Sequence, residues 1–536
     1  MPGPTEQQSE TGTGGGGWFA RLRGQLRGRS PFEGDIRPSR VSVLGRGPLP
    51  FPHPWNYTRP LEILDRFFRG ADELEGSSRH NRYLDVPGFA PVLVTRDPGL
   101  IRAISAASSD KPGSFERDTM PSGGIARATG KNTLLYANGP AWKAQKKLAN
   151  PAFARTTLFQ PERFGAFEET FRKTAAERLA LVRERVERGG EGVTVRLEPE
   201  IKAVMLELLV ANFFGAEVEY TEIRDRYVPA LDRVIDHIVR DTVLNKLGVP
   251  LGWVPALTPG IARTKRARAD FEALTDLVIE ARHRGAGQWG QFRSEAPDEA
   301  LRSNIRVFLA GALEATTSYA SWAIAHLARH PEAQERVYAE IRGIRDYTPE
   351  ALAGAPQLGY VLDETLRLTP SLYFHPRRAS VDTWVERPDG ARLMIPAGTH
   401  ILLDIWHANR HEDHWGVEPT GYPAEAFAPE RWEGFAARGE GPNERLHFGF
   451  GHGPRFCPGK NLGQLEVALV VGACVKMFRF TAPEAPNPAR AGVSTKPLDG
   501  VVAELRVRDP HEPDEAIAPQ PTAPAGGCPF GHGRSG

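Results

Sequence analysis

The residue with the most pointed chemistry is Cys457, set in Phe450-Gly-His-Gly-Pro-Arg-Phe-Cys-Pro-Gly459. A cysteine acts as a nucleophile or metal ligand in its thiolate form. A helical pattern runs from Lys460 to Cys474, so Cys457 is expected where a tight loop becomes a helix. Pro458 suits the first helical position, where its missing N–H would be unpaired in any case. The free N–H groups of such a helix start point back at the sulfur and favour a thiolate. Gly451, Gly453 and Gly459 let the backbone approach a flat, bulky partner or adopt positive φ. Arg455 adds a cation for an anionic group. Taken alone, Cys457 would read as a buried structural cysteine after a Gly-rich turn. The whole frame suits a haem held by an axial cysteine.

This loop resembles the haem-binding segment of the cytochrome P450 family, whose pattern Phe-Gly-x-Gly-x-Arg-x-Cys-x-Gly is met by Phe450, Gly451, Gly453, Arg455, Cys457 and Gly459. The resemblance extends to further motifs in the family's order across residues 48–508. Trp142 and Lys146 stand four apart, on one face of an expected helix. The family has Trp-x-x-x-Arg there, touching a haem propionate, and Lys146 replaces the arginine with a point charge lacking the bidentate fork. Leu362-Asp-Glu-Thr-Leu-Arg-Leu368 carries Glu364 and Arg367 one turn apart. By itself such a pair is usually a surface contact. The resemblance implies a buried Glu364–Arg367–Arg431 network holding the haem loop, with Arg431 from Phe427-Ala-Pro-Glu-Arg-Trp432. It also implies a propionate contact for Arg377, in preference to Arg378, and a structural or propionate contact for His407. His452 fills a variable position of the loop.

Asp298 to Arg329 is the longest helical stretch. Ala310, Gly311, Ala312 and Ala315 make one part of it small. Small residues often mean only tight packing, but beside the cysteine loop they suit a helix crossing the open face of a haem. Glu314 is a carboxylate in an apolar run, and a buried charge needs a partner or a task. The family places Thr after this acid, where its hydroxyl helps deliver protons to iron-bound oxygen. Counting back from His330-Pro331, that position holds Ala315. Thr316 follows, about 100° further round the helix. Either Ala315 takes the Thr position, the preferred reading, or a local bulge brings Thr316 in.

These residues need a frame. The pattern predicts a mainly α fold with a small β region, one large P450-like domain enclosing haem. Residues 1–47 are expected to be a disordered N-terminal segment, 48–508 the catalytic domain and 509–536 a disordered tail. Leu61 to Phe68 has helical spacing. Arg82–Val86 and Ala90–Thr95 read as strands, and Asp97-Pro98 opens a helix through Ile104. Ser114 to Lys131 lacks a period and is expected to be a loop over the haem edge. Helical blocks are predicted at Phe167–Val186, Ile201–Phe214, Arg224–Leu244 and Ile261–Arg282. The apolar, proline-bearing stretch Leu247–Gly260 is either a lid on the substrate entrance or a loop packed on its own core. Ser371 to His375 would face the pocket. Val381–Pro396 reads as a hairpin and His400–Trp406 as a strand.

Composition bounds the partners. The 536 residues carry a net charge of +1, so no global field argues for nucleic acid. Three cysteines, Cys457, Cys474 and Cys528, make no disulfide framework and suit a reducing compartment. No apolar run reaches the ~18 residues of a membrane span. This is similar to a soluble bacterial member of the family, expected in the cytoplasm. The resemblance implies a haem-thiolate monooxygenase with haem b on Cys457, O2, and a lipophilic small-molecule substrate. Glu314 and possibly Thr316 would manage protons. Electrons would come from a separate ferredoxin- or flavodoxin-type donor with its reductase, since the chain after Cys457 is too short for a flavin domain. Two alternatives remain: an isomerase, dehydratase or peroxide-using enzyme, motivated by Ala315, and a haem binder or sensor, motivated by Cys528.

Overall fold

The computed structural model of the chain describes residues 31–32, 36, 38, 59–85, 90–109, 111, 115–119, 123–130, 132–190, 192–246, 261–290, 298–386, 390, 392–440, 447–482 and 488–509. Helices dominate. Those that bear on the site are α1 (Pro98–Ala106), α2 (Gly139–Phe153), α3 (Pro161–Gly189), α4 (Glu198–Leu208), α5 (Val228–Lys246), α6 (Ile261–His283), α7 (Asp298–Leu327), α8 (Pro331–Ile341), α9 (Pro356–Leu368) and α10 (Lys460–Met477). Their main core joins α3, α4, α7, α8, α9 and α10 around residues such as Phe171, Leu206, Ile324, Val337, Val361 and Val471. Local chemistry sets several ends. Asp97 caps α1 by accepting the N–H groups of Gly99 (2.8 Å) and Leu100 (3.2 Å). Pro370 follows α9 closely and cannot continue it.

The strands gather at the side. A five-stranded sheet has the order β1 (Asn81–Leu84), β2 (Val92–Thr95), β8 (His400–Asp404), β5 (Phe374–Ala379), β3 (Phe115–Arg117). Only β2 and β8 run parallel in it. A second sheet is β4 (Val193–Arg196), β12 (Val502–Val507) and β9 (Phe478–Thr481). Two pairs complete the set: β6 (Thr383–Glu386) with β7 (Arg392–Ile395), and β10 (Ala489–Ala491) with β11 (Thr495–Pro497). The expected hairpin over Val381–Pro396 is the first of these pairs.

Some expectations need correction. Ser114–Lys131 is not an irregular loop throughout: Phe115–Arg117 finds an open sheet edge on β5, and Gly123–Thr129 is helical. The strand expected to reach Trp406 ends at Asp404, because the Asp404 carboxylate accepts the His407 N–H (3.1 Å) and starts the helical turn Ile405–Ala408. Pro458 is not the first residue of α10, which begins at Lys460 with Gly459 as its cap. The helical blocks are interrupted by π-turns at Leu209–Phe213 and Ile223–Tyr227. The packed chain also begins earlier than residue 48: Phe32 and Ile36 are buried with Tyr83 and Leu93 against the large sheet. Leu247–Gly260 and Cys528 lie outside the described residues.

Candidate active site

The cysteine loop is shaped by backbone contacts. Gly451 and Gly453 take positive φ (76° and 70°). A Cβ at Gly453 would stand 2.3 Å from the Ser105 carbonyl oxygen, so only glycine lets the loop press on the end of α1. The Cys457 N–H donates to the Phe450 carbonyl (2.8 Å), closing the loop and leaving the cysteine partly accessible just ahead of α10. Burial pushes the Cys457 thiol up to about 11, while the Gly459 N–H and Lys460 pull the other way. The N–H at the helix start thus favours the thiolate, as the sequence leads one to expect, while burial opposes it. Coordination to a cation would deprotonate the thiol outright.

Beside the loop lies a group of buried cations. Arg377 on β5 and Arg455 in the cysteine loop are nearly inaccessible, and Arg117 on β3 is half-buried. Arg377 donates to Ser108 Oγ (2.9 Å) and the Pro376 carbonyl (2.9 Å). Arg455 donates to the Ala137 carbonyl (2.6 Å) and Asn138 Oδ1 (2.8 Å). Burial lowers the pKa of all three guanidiniums, and mutual repulsion lowers those of Arg377 and Arg455 further. Nε and Nη1 of Arg455 and Nε of Arg117 are buried without a hydrogen-bond partner among the described residues. Such a set fits an anionic group with two carboxylates. The same field, on top of burial, holds His375 well below the usual histidine range.

Trp142 and Lys146 join this cluster. The Arg455 guanidinium stands 4.5 Å from the Trp142 ring centroid and Lys146 Nζ 5.1 Å from it. Lys146 Nζ also donates to the Pro454 carbonyl (2.9 Å), so it grips the cysteine loop itself.

α7 crosses this region as an unbroken α-helix, without the bulge that would rotate Thr316 inward. Tyr319 meets the Phe450 ring edge-on at 6.3 Å. Gly311, Ala312 and Ala315 form an accessible face on an otherwise buried segment. Ser371 Oγ donates to the Ala315 carbonyl (3.0 Å). Thr316 points elsewhere: its hydroxyl donates to the Ala312 carbonyl (2.8 Å), and its methyl lies 3.7 Å from where a Cβ at Gly463 would be. Glu314 has found partners. It accepts from Lys496 Nζ (2.8 Å) and Ser494 Oγ (3.0 Å), with Lys202 Nζ at 3.5 Å. Burial alone would raise its pKa, but the two lysines bring it down to about 2.

The Glu364 network is fully enclosed. Arg367 meets Glu364 through two parallel hydrogen bonds of 2.8 Å each. Arg431 Nε lies 3.4 Å from the same carboxylate, which also accepts the Trp432 indole N–H (2.9 Å) and the Ala428 N–H (2.9 Å). Arg367 hands its remaining N–H groups to the carbonyls of Asn409, Ala424 and Ala426. The network thus fastens α9 to the segment leading into the cysteine loop.

His407 is held between Asp404 (2.7 Å) and Asp65 (2.7 Å), a structural position. His452 lies near the Phe448 ring. Sequence reasoning did not single out Arg117, Ser108, Lys202 or Lys496. Arg117 had one local signal, the alternation in Phe115-Glu-Arg117; the others become visible only through long-range packing.

A family model described as Cytochrome P450 matches residues 87–500. Cytochrome P450 734A6 of Oryza sativa subsp. japonica is 25% identical over 491 residues, covering 83% of this chain and 82% of its own length. Cyclooctat-9-en-7-ol 5-monooxygenase of Streptomyces melanosporofaciens is 27% identical over 479 residues, covering 84% and 92%. Human cytochrome P450 4F8 is 25% identical over 437 residues, covering 75% and 78%. The chain belongs to the cytochrome P450 family. It is accordingly an oxidoreductase of the haem-thiolate monooxygenase class, using O2 and electrons from a redox partner. No helix among the described residues is long and apolar enough to cross a membrane.

Proposed function

We propose that Cys457 is the axial ligand of a haem b and that the chain hydroxylates or otherwise oxygenates a lipophilic small molecule. The single observation that carries this is one loop bearing both Cys457 and Arg455, the latter clustered with buried Arg377 and half-buried Arg117, with α7 crossing beside it. The haem, when bound, supplies oxygen activation, with the thiolate favouring O–O cleavage. The protein's residues do the rest. Arg117, Arg377 and Arg455 bind the propionates, and Trp142 and Lys146 brace Arg455 and the cysteine loop. The face formed by Gly311, Ala312 and Ala315, with the exposed Leu372, offers apolar walls with few hydrogen-bonding groups, which is why the substrate is read as lipophilic. Glu364, Arg367 and Arg431 keep the loop in place. Electrons arrive from a separate ferredoxin- or flavodoxin-type protein.

The test is the absorption spectrum of the reduced protein with carbon monoxide, wild type beside Cys457→His. A thiolate-type Soret band in the wild type, displaced in the variant, is expected. An imidazole-type band in both, or no haem in the wild type, would overturn the assignment.

One observation favours a second reading. Ala315 brings no hydroxyl to the accessible face, and the Thr316 hydroxyl is bonded within the helix. Proton delivery then rests on ordered water, a substrate hydroxyl or Glu314, whose carboxylate is already engaged by two lysines. An isomerase, a dehydratase or a peroxide-using enzyme would need no such delivery and would turn over without a reductase. Strict dependence on NAD(P)H, reductase and O2 would exclude it.

A further inference from the structure

Away from the cysteine loop, three histidines meet where two distant segments touch. His80 leads into β1. His411 caps the short helix Glu412–Trp415 and His414 lies within it. The rings of His80 and His411 are 4.5 Å apart, His80 and His414 5.6 Å, and His411 and His414 5.7 Å. One ring nitrogen from each lies within 4.8 Å of the others.

Two features distinguish this cluster from packed core histidines. First, Nδ1 of His80 and Nε2 of His414 are buried without a hydrogen-bond partner among the described residues, which is costly unless something else satisfies them. Second, a carboxylate oxygen borders the cluster, on the Nε2 side of His80 rather than at its unpartnered Nδ1. Asp413 gives Oδ1 to Arg79 (2.9 Å) and leaves Oδ2 3.4 Å from His80 Nε2 and 3.6 Å from His411 Nδ1. A tetrahedral ion with metal–nitrogen bonds of about 2.0–2.1 Å sets its ligands roughly 3.4 Å from one another. The Asp413 oxygen is near that spacing from His80 Nε2 and His411 Nδ1, and ring nitrogens within 4.8 Å of one another would close by up to about 1.4 Å.

The surrounding charge permits a cation. Arg79 is paired with Asp413 and Arg96 with Asp72, so the fixed charges nearest the rings balance. His411 Nδ1 accepts the Asp413 N–H (3.2 Å) and its Nε2 lies 3.3 Å from Asp72, so an ion on Nδ1 would displace that N–H contact while Asp72, as an outer carboxylate, orients the ring.

We propose that His80, His411 and His414, with Asp413 completing the set, bind one divalent transition-metal ion of the zinc type. Imidazole-rich sets with a carboxylate suit zinc, nickel or copper rather than calcium or magnesium. The ion would clamp the start of the large sheet to the segment bearing Trp415, whose carbonyl accepts Arg431 Nη1 (2.6 Å). The role is structural and independent of the haem assignment.

The experiment is calorimetric titration of zinc chloride into the full-length, haem-loaded chain, made without a histidine tag and dialysed against EDTA. One equivalent bound at micromolar or tighter affinity is expected, with a rise in Tm. His414→Ala and His80→Gln should each weaken that equivalent by at least the ~10-fold that an outer hydrogen-bond partner costs. The carbon monoxide spectrum should be unchanged, which separates this site from the haem and from the rest of the chain's 15 histidines. Asp413→Asn, at a partly exposed position, should weaken binding too and serves if a histidine variant does not fold. No equivalent in the wild type, or full affinity retained in His414→Ala or in Asp413→Asn, overturns the proposal.

Discussion

Arg117 and Arg377 stand directly opposite each other, as Cα partners across antiparallel β3 and β5. Like charges in that relationship repel, and Arg455 adds a third cation that depresses Arg377 further. The arrangement is unfavourable until an anion joins it. Arg117→Gln should therefore weaken haem retention by about tenfold, or ~1.4 kcal/mol, while leaving the haem-free protein as stable as the wild type or more so. Haem transfer to apomyoglobin and the Tm of the haem-free form check both halves. A haem-free protein made clearly less stable by the change would show that Arg117 is a structural residue first.

A different outcome is expected at Glu364. Its carboxylate takes hydrogen bonds from Arg367, Trp432 and Ala428 with no exposure to water. Glu364→Gln keeps the shape but strands two buried guanidiniums. A loss of about 3–5 kcal/mol is expected, read as a fall in the urea midpoint and in the yield of haem-loaded protein.

On α7, the two candidate positions separate cleanly. Ala315→Thr adds a hydroxyl to the accessible face. Proton-transfer groups are typically worth ~10²-fold in their step, so the share of electrons reaching product should change measurably. Thr316→Ala removes a bond to the Ala312 carbonyl and a methyl packed near Gly463, and should leave that share unaltered, with a stability change of about 1 kcal/mol. Product formed per NAD(P)H consumed is the measurement. The reverse pattern would mean that Thr316 holds the working position.

His407 supplies a pH signature. Burial alone would lower its pKa, but Asp404 and Asp65 raise it to about 9. The folded value exceeds the unfolded value of about 6.5. The stabilisation is thus fully present below pH ~6.5 and is lost as pH rises through about 9. Allowing for the exposure of Asp65, the wild type should lose about 2 kcal/mol more than His407→Gln across that window. Parallel pH–stability curves for the two would remove His407 from the account.

How far the sequence could be read depends on the distance over which each feature is determined. The Cys457 loop, the Glu364–Arg367 turn and the Asp97 cap are local, and local spacing displays them. Arg117 was hidden because its partner Arg377 lies on a strand far along the chain, and no short pattern joins them. Glu314 was visible as an isolated acid, whereas its lysines come from α4 and β11. Phe32 and Ile36 look like stray apolar residues in a polar tail until the large sheet is there to receive them. Cys457 shows the same division: the helix N–H effect on its thiol is local and legible, whereas the burial that opposes it is a property of the whole domain.

The contact between Glu314 and Lys496 also constrains how the protein is made. Residues near the end of the chain supply the counter-charge for a helix in its middle, and β12 pairs with β4, some three hundred residues earlier. Neither contact can form until Lys496 and β12 have left the ribosome. Until then Glu314 on α7 has Lys202 of α4 but not its second lysine, and β4 lacks its strand partner. Long-range closure of this kind is slow. A ribosome stalled before Lys496 would leave a chain that has its cysteine loop and most of its helices but cannot complete its core.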